Sequence, residues 1–405
     1  MTASSGSTRL TASSSYSAAD VTVERALPTE DSRDLLSLVG DLARSELAPR
    51  VADFEARKEF PREVVRTLGR AGLLGLAYDE DHGGGGQPYE VYLQALEELA
   101  STWAAVALAI SVHTMSCYPL ASFGTDEQRK RWLPDMVGGE LLGAYSLSES
   151  QSGSDAGALS TTARREGDRY VLNGTKTWVT HGGVADYYLT FVRTSEDAKC
   201  GISALLVPAD TEGLIPQPPE RKMGLWASPT ASIVLADAKV DADRLIGDEG
   251  DGMKLALSAL DSGRLGIAAI ATGLAQAALD AAVGWAKERR QFGKRIAEFQ
   301  GVSFILADMA TGIDAARSTY LAAARRRDNG LTFGLQASMA KLLATDTAMK
   351  VTIDAVQVFG GYGYTTEYPV ERYLREAKVM QIFEGTNQIQ RMVIGRHLMS
   401  DQRKR

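Results

Sequence analysis

Cysteine is nearly absent: Cys117 and Cys200 are the only two among 405 residues, far apart and outside any CxxC spacing. No disulfide framework or thiolate zinc site is therefore expected, and a reducing cytoplasm fits. Histidine is equally sparse, and His82, His113, His181 and His397 form no HxxxH or HExxH pattern, so no metal centre is expected. Basic charge is not in excess. The net charge of -7 argues against nucleic acid as the main partner, since phosphate binding needs clustered Lys and Arg. No GxGxxG follows a strand-like run and no βαβ alternation occurs, so a Rossmann nucleotide domain is not indicated. No apolar run is read as a membrane span. The first twenty residues, rich in Ser and Thr, lack an apolar signal-peptide centre, and residues 1–23 read as a disordered tail.

Hydrophobic residues at 44% and charged residues at 23% are ordinary for a globular chain with room for two or three domains. From Asp31 to Val137 apolar residues recur every three or four positions, which predicts helices, one opening at Pro61 and a long apolar one from Glu90 to His113. "DEDHGGGGQPYE" interrupts them; with no Lys-Ser/Thr after the glycines, it reads as a flexible turn rather than a phosphate loop. Near Leu141 the period shortens. "TWVTHGGVADYYLTFVRT", "GISALLVPAD" and "ASIVLADAKV" predict strands of a small antiparallel barrel or sandwich. From Asp251 the pattern is helical again: a helix of nearly ten turns, stretches near 297–328 and 331–358, and a last helix after Glu384. The expected domains are 24–143, 144–250 and 251–405.

Five stretches invite a chemical reading, though taken singly each is weak. "AYSLSESQSGSDAGALSTTA" is either a turn-rich connection or a loop whose N–H groups and hydroxyls bind a polar planar edge or phosphate. In "KTWVTHGG", Trp178 and Thr180 stand two apart on a predicted strand and so on one face, an aromatic plate beside a hydroxyl. "ERRQFGKRIAEFQ" places cations at a helix C-terminus, which they could simply offset. "QVFGGYGYTTEYPVERYLREAK" puts Gly360 and Gly361 where backbone can approach a phosphate. The lone carboxylate of "VMQIFEGTNQIQRMVIG", Glu384, is either a solvated acid near a helix start or a desolvated base.

In this order and spacing the stretches resemble the acyl-CoA dehydrogenase family, from about residue 24 to residue 398. "LSESQSGSDAG" is similar to its first signature, and "QVFGGYGYTTEYPVERYLREAKVMQIFEGTNQIQR" to its second. "SVHTMS", "MGLWASPT" and "DSGRLGIAAIATGLAQAALD" lean toward the short- and branched-chain members of fatty acid and branched-chain amino acid catabolism. The resemblance implies an α+β fold: an N-terminal helical domain, a central β-barrel and a C-terminal four-helix bundle. It implies FAD, an acyl-CoA substrate, an electron-transferring flavoprotein as partner, and a homo-oligomer, usually a tetramer.

The same resemblance assigns residues. Tyr145, Leu147 and Ser148 would hold the flavin edge, with Trp178 against the ring and Thr180 near N5 and O4. Ser154 would lie between cofactor and the CoA side of the substrate. Arg289, Gln291, Phe292 and Gln300, with Gln357, Gly360 and Gly361, would reach a neighbouring subunit's FAD, and Thr386 and Gln388 would complete the contacts. Arg264 and Gly385 would serve the substrate, and Glu384 would take the α-proton. Ser150, Gln151 and Phe383 depart from the usual signatures but flank these positions. Some relatives carry the base one residue before the helix Arg, where Gly263 stands here, and Asp261 is roughly 200° round the helix. A flavin oxidase or monooxygenase on the same fold is one rival reading; a DNA-associated relative is another, disfavoured by the acidic balance.

Overall fold

The computed structural model describes residues 25–197 and 201–400; the expected tail over 1–23, and Cys200, lie outside them. The chain opens with α1 (Glu30–Leu42), which passes through a π-helical turn, Ala43–Leu47, and then α2 (Val51–Arg57) and α3 (Arg62–Arg70). Thr29 caps α1 by accepting from the Ser32 N–H at 3.1 Å, satisfying one of the orphan donors of a helix start. Pro61 is the residue before α3 rather than its first helical residue. The glycine run is a pinned turn, with Gly84 N–H donating to Asp79 and Gly86 N–H to Tyr78.

Helix α4 (Tyr89–Phe123) extends ten residues past the expected end at His113, and α5 (Asp126–Val137) follows. The extra turns are buried against the β domain, where Ser116 Oγ lies 3.0 Å from Tyr187 Oη. At Trp103 the backbone leaves helical geometry (φ -151°), and the indole N–H donates to Glu55 at 2.9 Å. Contrary to the sequence reading, α4 and α6 (Gly252–Glu288) are both long and apolar enough to cross a bilayer, but 89% and 83% of their most apolar windows are buried inside the protein. They pack on each other. A Cβ at Gly273 of α6 would stand 2.2 Å from the Glu97 carbonyl of α4, so glycine is what permits the close approach.

Between these helices lie β1 (Gly143–Ser146), β2 (Thr162–Glu166), β3 (Arg169–Thr180), β4 (Tyr187–Arg193), β5 (Ile202–Pro208), β6 (Leu214–Pro216), β7 (Thr230–Asp241) and β8 (Leu245–Ile246). They form one sheet in the order β6-β7-β3-β2-β4-β5-β8, with β1 added beside β4. The sheet is not purely antiparallel as expected, because β1 and β2 both pair parallel to β4. After α6 come a short hairpin, β9 (Arg290–Gln291) and β10 (Lys294–Arg295), then α7 (Gln300–Asp328), α8 (Gly334–Phe359), α9 (Val370–Met380) and α10 (Asn387–Met399). Helix α9 was not among the expected helices. The Asp328 carboxylate caps α4 across the domains, accepting from the Tyr89 and Glu90 N–H groups at 2.8 and 3.1 Å.

Candidate active site

Glu384 lies in the turn joining α9 to α10. Thr386 caps α10 by accepting from the Ile389 N–H at 3.2 Å, which fixes where the helix starts. The turn before it requires positive φ at two successive residues, Glu384 (+52°) and Gly385 (+88°). Glycine adopts this freely, but for Glu384 it costs about 1–3 kcal/mol, so surrounding contacts must hold it. They do: Gln390 Nε2 donates to the Gly385 and Glu384 carbonyls at 2.8 and 3.3 Å, and Lys341 Nζ donates to the Gly385 carbonyl at 2.9 Å. The Gly385 N–H donates to no acceptor among the described residues.

The turn aims the Glu384 side chain at α6. A Cβ at Gly263 would fall 2.3 Å from Glu384 Oε2 and 2.8 Å from Met115 Sδ, so the carboxylate occupies the space that any other residue there would claim. Oε2 is buried and has no hydrogen-bond partner among the described residues. Burial raises the Glu384 pKa from 4.5 to about 7, against the opposing pull of Lys341 and Arg264. Next to Gly263 is a narrow cavity of about 10 Å³, lined among others by Tyr78, Tyr89, Ser111, Thr114 and Met115. Asp261 faces elsewhere, paired with Arg264. Arg264 is itself buried, with its Nε unpartnered.

The loop after β1 is tied to β3. Thr177 N–H donates to the Ser148 carbonyl at 2.9 Å, and the buried Lys176 donates to the Leu147 carbonyl at 3.0 Å and to Glu149 at 2.8 Å. Glu149 also accepts from the Ser160 and Thr161 N–H groups. Burial opposes its charge, but Lys176 and these donors hold its pKa well below the usual carboxylate range, while Lys176 is lowered by burial to about 8. Beyond Lys176, β3 does not alternate simply. A bulge between Lys176 and Val179 places Trp178 at φ +61° and leaves its ring 63% exposed, with Thr180 half-buried beyond the buried Val179. Past the bulge, burial still alternates over Trp178, Val179 and Thr180, with the first and third on the less buried side.

A second cavity, of about 470 Å³, brings together Arg289, Gln291, Gly360 and Gly361. Arg289 lies over the Trp285 and Tyr362 rings at 5.9 and 5.4 Å, and Gly360 (φ +62°) has open space where a side chain would be. Phe292 is 93% exposed on the β9–β10 hairpin. Ser154, Gln300, Gln357 and Gln388 are each exposed, and Tyr145 spends its hydroxyl on the Ala256 carbonyl at 3.1 Å. Trp178 lines neither cavity. No group of three or more metal-ligating side chains occurs among the described residues.

Comparison with known proteins agrees with this layout. The N-terminal, middle and C-terminal domains of acyl-CoA dehydrogenases match residues 29–140, 144–238 and 250–399. The chain belongs to the acyl-CoA dehydrogenase family, and it is an acyl-CoA dehydrogenase. An acyl-CoA dehydrogenase of Bacillus subtilis (strain 168) is 46% identical over 373 residues, 92% of this chain and 98% of that protein. The solved butyryl-CoA dehydrogenase from Megasphaera elsdenii superimposes with a TM-score of 0.91 at 41% identity, covering 93% of this chain and 100% of that one. A glutaryl-CoA dehydrogenase of Mycobacterium smegmatis in complex with FADH2 gives 0.87 at 28% identity, covering 93% and 96%.

The sequence reading missed Lys341, Gln390, Glu149 and Lys176. Lys341 and Glu149 are charges in apolar or small-residue surroundings and Lys176 sits at an inward strand position, which is the signal that could have found them, whereas Gln390 lies among Asn387, Gln388 and Arg391 and carries no such signal.

Proposed function

We propose that this dehydrogenase removes the α-proton and β-hydride of a short acyl-CoA with the aid of FAD, giving the trans-2-enoyl-CoA. One observation carries the assignment of the base: the partnerless Glu384 oxygen buried opposite Gly263, beside a cavity. A thioester α-proton is weakly acidic, so its removal calls for a carboxylate of raised pKa, positioned and shielded from water. Glu384 meets that need. The free Gly385 N–H, held by the Gln390 and Lys341 clamps, is the donor for the thioester carbonyl, where negative charge develops as the proton leaves.

The residues present fit FAD. Trp178 is exposed, and the buried hydroxyls of Ser146 and of its chain neighbour Thr177 have no hydrogen-bond partner among the described residues. Arg289, Gln291 and open glycine backbone at 360–361 line a cavity large enough for part of a dinucleotide. We assign the flavin edge to Leu147, Ser148, Trp178 and Thr180, and the neighbouring subunit's FAD to Arg289, Gln291, Gly360 and Gly361. Bound FAD supplies the acceptor for the β-hydride. The separation of Trp178 from the second cavity supports a cofactor shared between subunits, as do the exposed Phe292, Tyr364 and Met399. A homotetramer and an electron-transferring flavoprotein that accepts the electrons complete the proposal.

The likeness to butyryl-CoA dehydrogenase supports C4–C5 straight or branched substrates. A panel of acyl-CoAs, followed by anaerobic flavin bleaching, tests this: butyryl- or isobutyryl-CoA should bleach the enzyme with higher efficiency than C12–C16 chains. The reverse order overturns the chain-length assignment.

A further inference from the structure

Lys341, on α8, is a fully buried lysine for which the reaction as derived above has no chemical task. Burying an ammonium costs several kcal/mol unless it is compensated. Its Nζ donates to two neutral acceptors, the Gly385 carbonyl and Asn387 Oδ1, each at 2.9 Å, and makes no ion pair with a carboxylate among the described residues. Asn387 is held in turn by Thr345 at 2.9 Å and Asp346 at 2.7 Å. The lysine therefore bridges the residues on both sides of Thr386, at the point where the chain leaves its left-handed turn. The anion whose field it feels most is Glu384, with Asp346 weaker.

We propose that Lys341 is a positioning residue for the catalytic turn: its ammonium clamps the Gly385 carbonyl, one residue from Glu384, and the Asn387 side chain, and with Arg264 it is one of two buried cations beside that turn. The proposal rests on Glu384 being the base. Without the lysine, the carbonyls of Glu384 and Gly385 keep only the Gln390 contacts, and the carboxylate keeps only Arg264 as a neighbouring cation, itself shared with Asp261. The other titratable groups that face Glu384 are Tyr89 and Tyr92 from α4 and Tyr145 from β1. Burial keeps all three phenols neutral, so none replaces the lost charge.

The test reads the carboxylate directly. Infrared difference spectra of the holoenzyme across pH, with the Glu384 band identified by its loss in Glu384→Gln, give its titration midpoint in Lys341→Gln, Lys341→Met and Lys341→Arg. Removing a cation near a carboxylate favours the protonated form, so the midpoint should rise by at least about one pH unit in Gln and Met and stay near wild type in Arg. An unchanged midpoint in Gln and Met overturns the proposal. Coupling is reciprocal, which supplies a second measurement in a variant expected to fold. In Glu384→Gln the midpoint of Lys341, about 8 in the wild type, should fall, as read by the lysine side-chain carbon resonances. If it does not move, the two groups do not face each other and the proposal fails. Neither readout depends on turnover, so failure of Glu384 as the base, seen as undiminished bleaching in Glu384→Gln, remains a separate result.

Discussion

Replacing Glu384 by Gln should make the enzyme nearly inactive and, above neutral pH, more stable relative to wild type than it is in acid. In the folded chain burial moves the Glu384 carboxyl from 4.5 to about 7, a distance corresponding to about 3 kcal/mol. Below pH 4.5 the group is protonated in both folded and unfolded chains and contributes no difference. As pH rises, the unfolded chain ionises first, so the stability given by the neutral buried acid is lost up to and through pH 7. Glutamine does not ionise. Its unpaired amide N–H beside Lys341 and Arg264 costs about 1–3 kcal/mol, but that cost is the same at every pH. The diagnostic quantity is therefore a difference of differences: the stability of the variant minus that of the wild type should rise by about 2 kcal/mol between pH 5 and 7.5. Chemical denaturation at fixed protomer concentration and fixed FAD measures it, since assembly and ligand both shift apparent stability. In parallel, anaerobic bleaching by butyryl-CoA should slow by about 10²–10⁴-fold or more. An equal stability difference at both pH values would show that Glu384 is not a desolvated acid in the folded chain. Bleaching at near wild-type rate would show that it is not the base.

Gly263→Ala sets a methyl group where Glu384 Oε2 now lies; the flexible carboxylate must move, so bleaching should fall by about 10²-fold with little loss of stability. An unchanged rate would mean that the productive carboxylate position is elsewhere. Lys176→Met leaves Glu149 buried and unpaired, which should destabilise the protein by about 3–5 kcal/mol and loosen the loop at 147–148, seen as a lower denaturation midpoint and weaker FAD retention. Wild-type values for both would remove that ion pair from any supporting role. Arg289→Ala should release FAD on ultrafiltration and weaken subunit assembly, because a cation able to make charge-assisted hydrogen bonds is lost from the larger cavity. Full flavin occupancy and intact assembly would exclude Arg289 from the cofactor site.

The helix–strand–helix order could be read from the sequence, because each segment carries the hydrophobic period of its own geometry: near 3.6 in "SRDLLSLVGDLARSELAPRVADFEA" and short β-rich runs in "GISALLVPAD". Glu384 could be singled out as the one acid in an apolar and amide-rich run, but Lys341 and Gln390, which clamp its turn, were not legible there. Where one local rule met two physical demands, the sequence was ambiguous. Helix α4 runs on past His113 because its last turns are covered by β-domain side chains that no local window contains. Trp178 is aimed outward by a bulge set by its pairing with β7, whereas alternation along β3 alone would treat it as one more strand residue.

The sequence by itself determined the element types, the family and the identity of the acid, since these depend on residue order and near-neighbour spacing. Only the tertiary structure decided what raises that acid's pKa. Its pKa depends on which groups from α6, α8 and α4 exclude water around it, and those groups are separated from it by tens to hundreds of residues. Gly263 reads locally as a gap in a helix, and in space it makes room for the Glu384 carboxylate. Lys341 reads as a stray charge on an apolar helix, and in space it holds the Gly385 carbonyl. Electrostatic energy depends on distance through space and on solvent exclusion, and neither is a property of position along the chain.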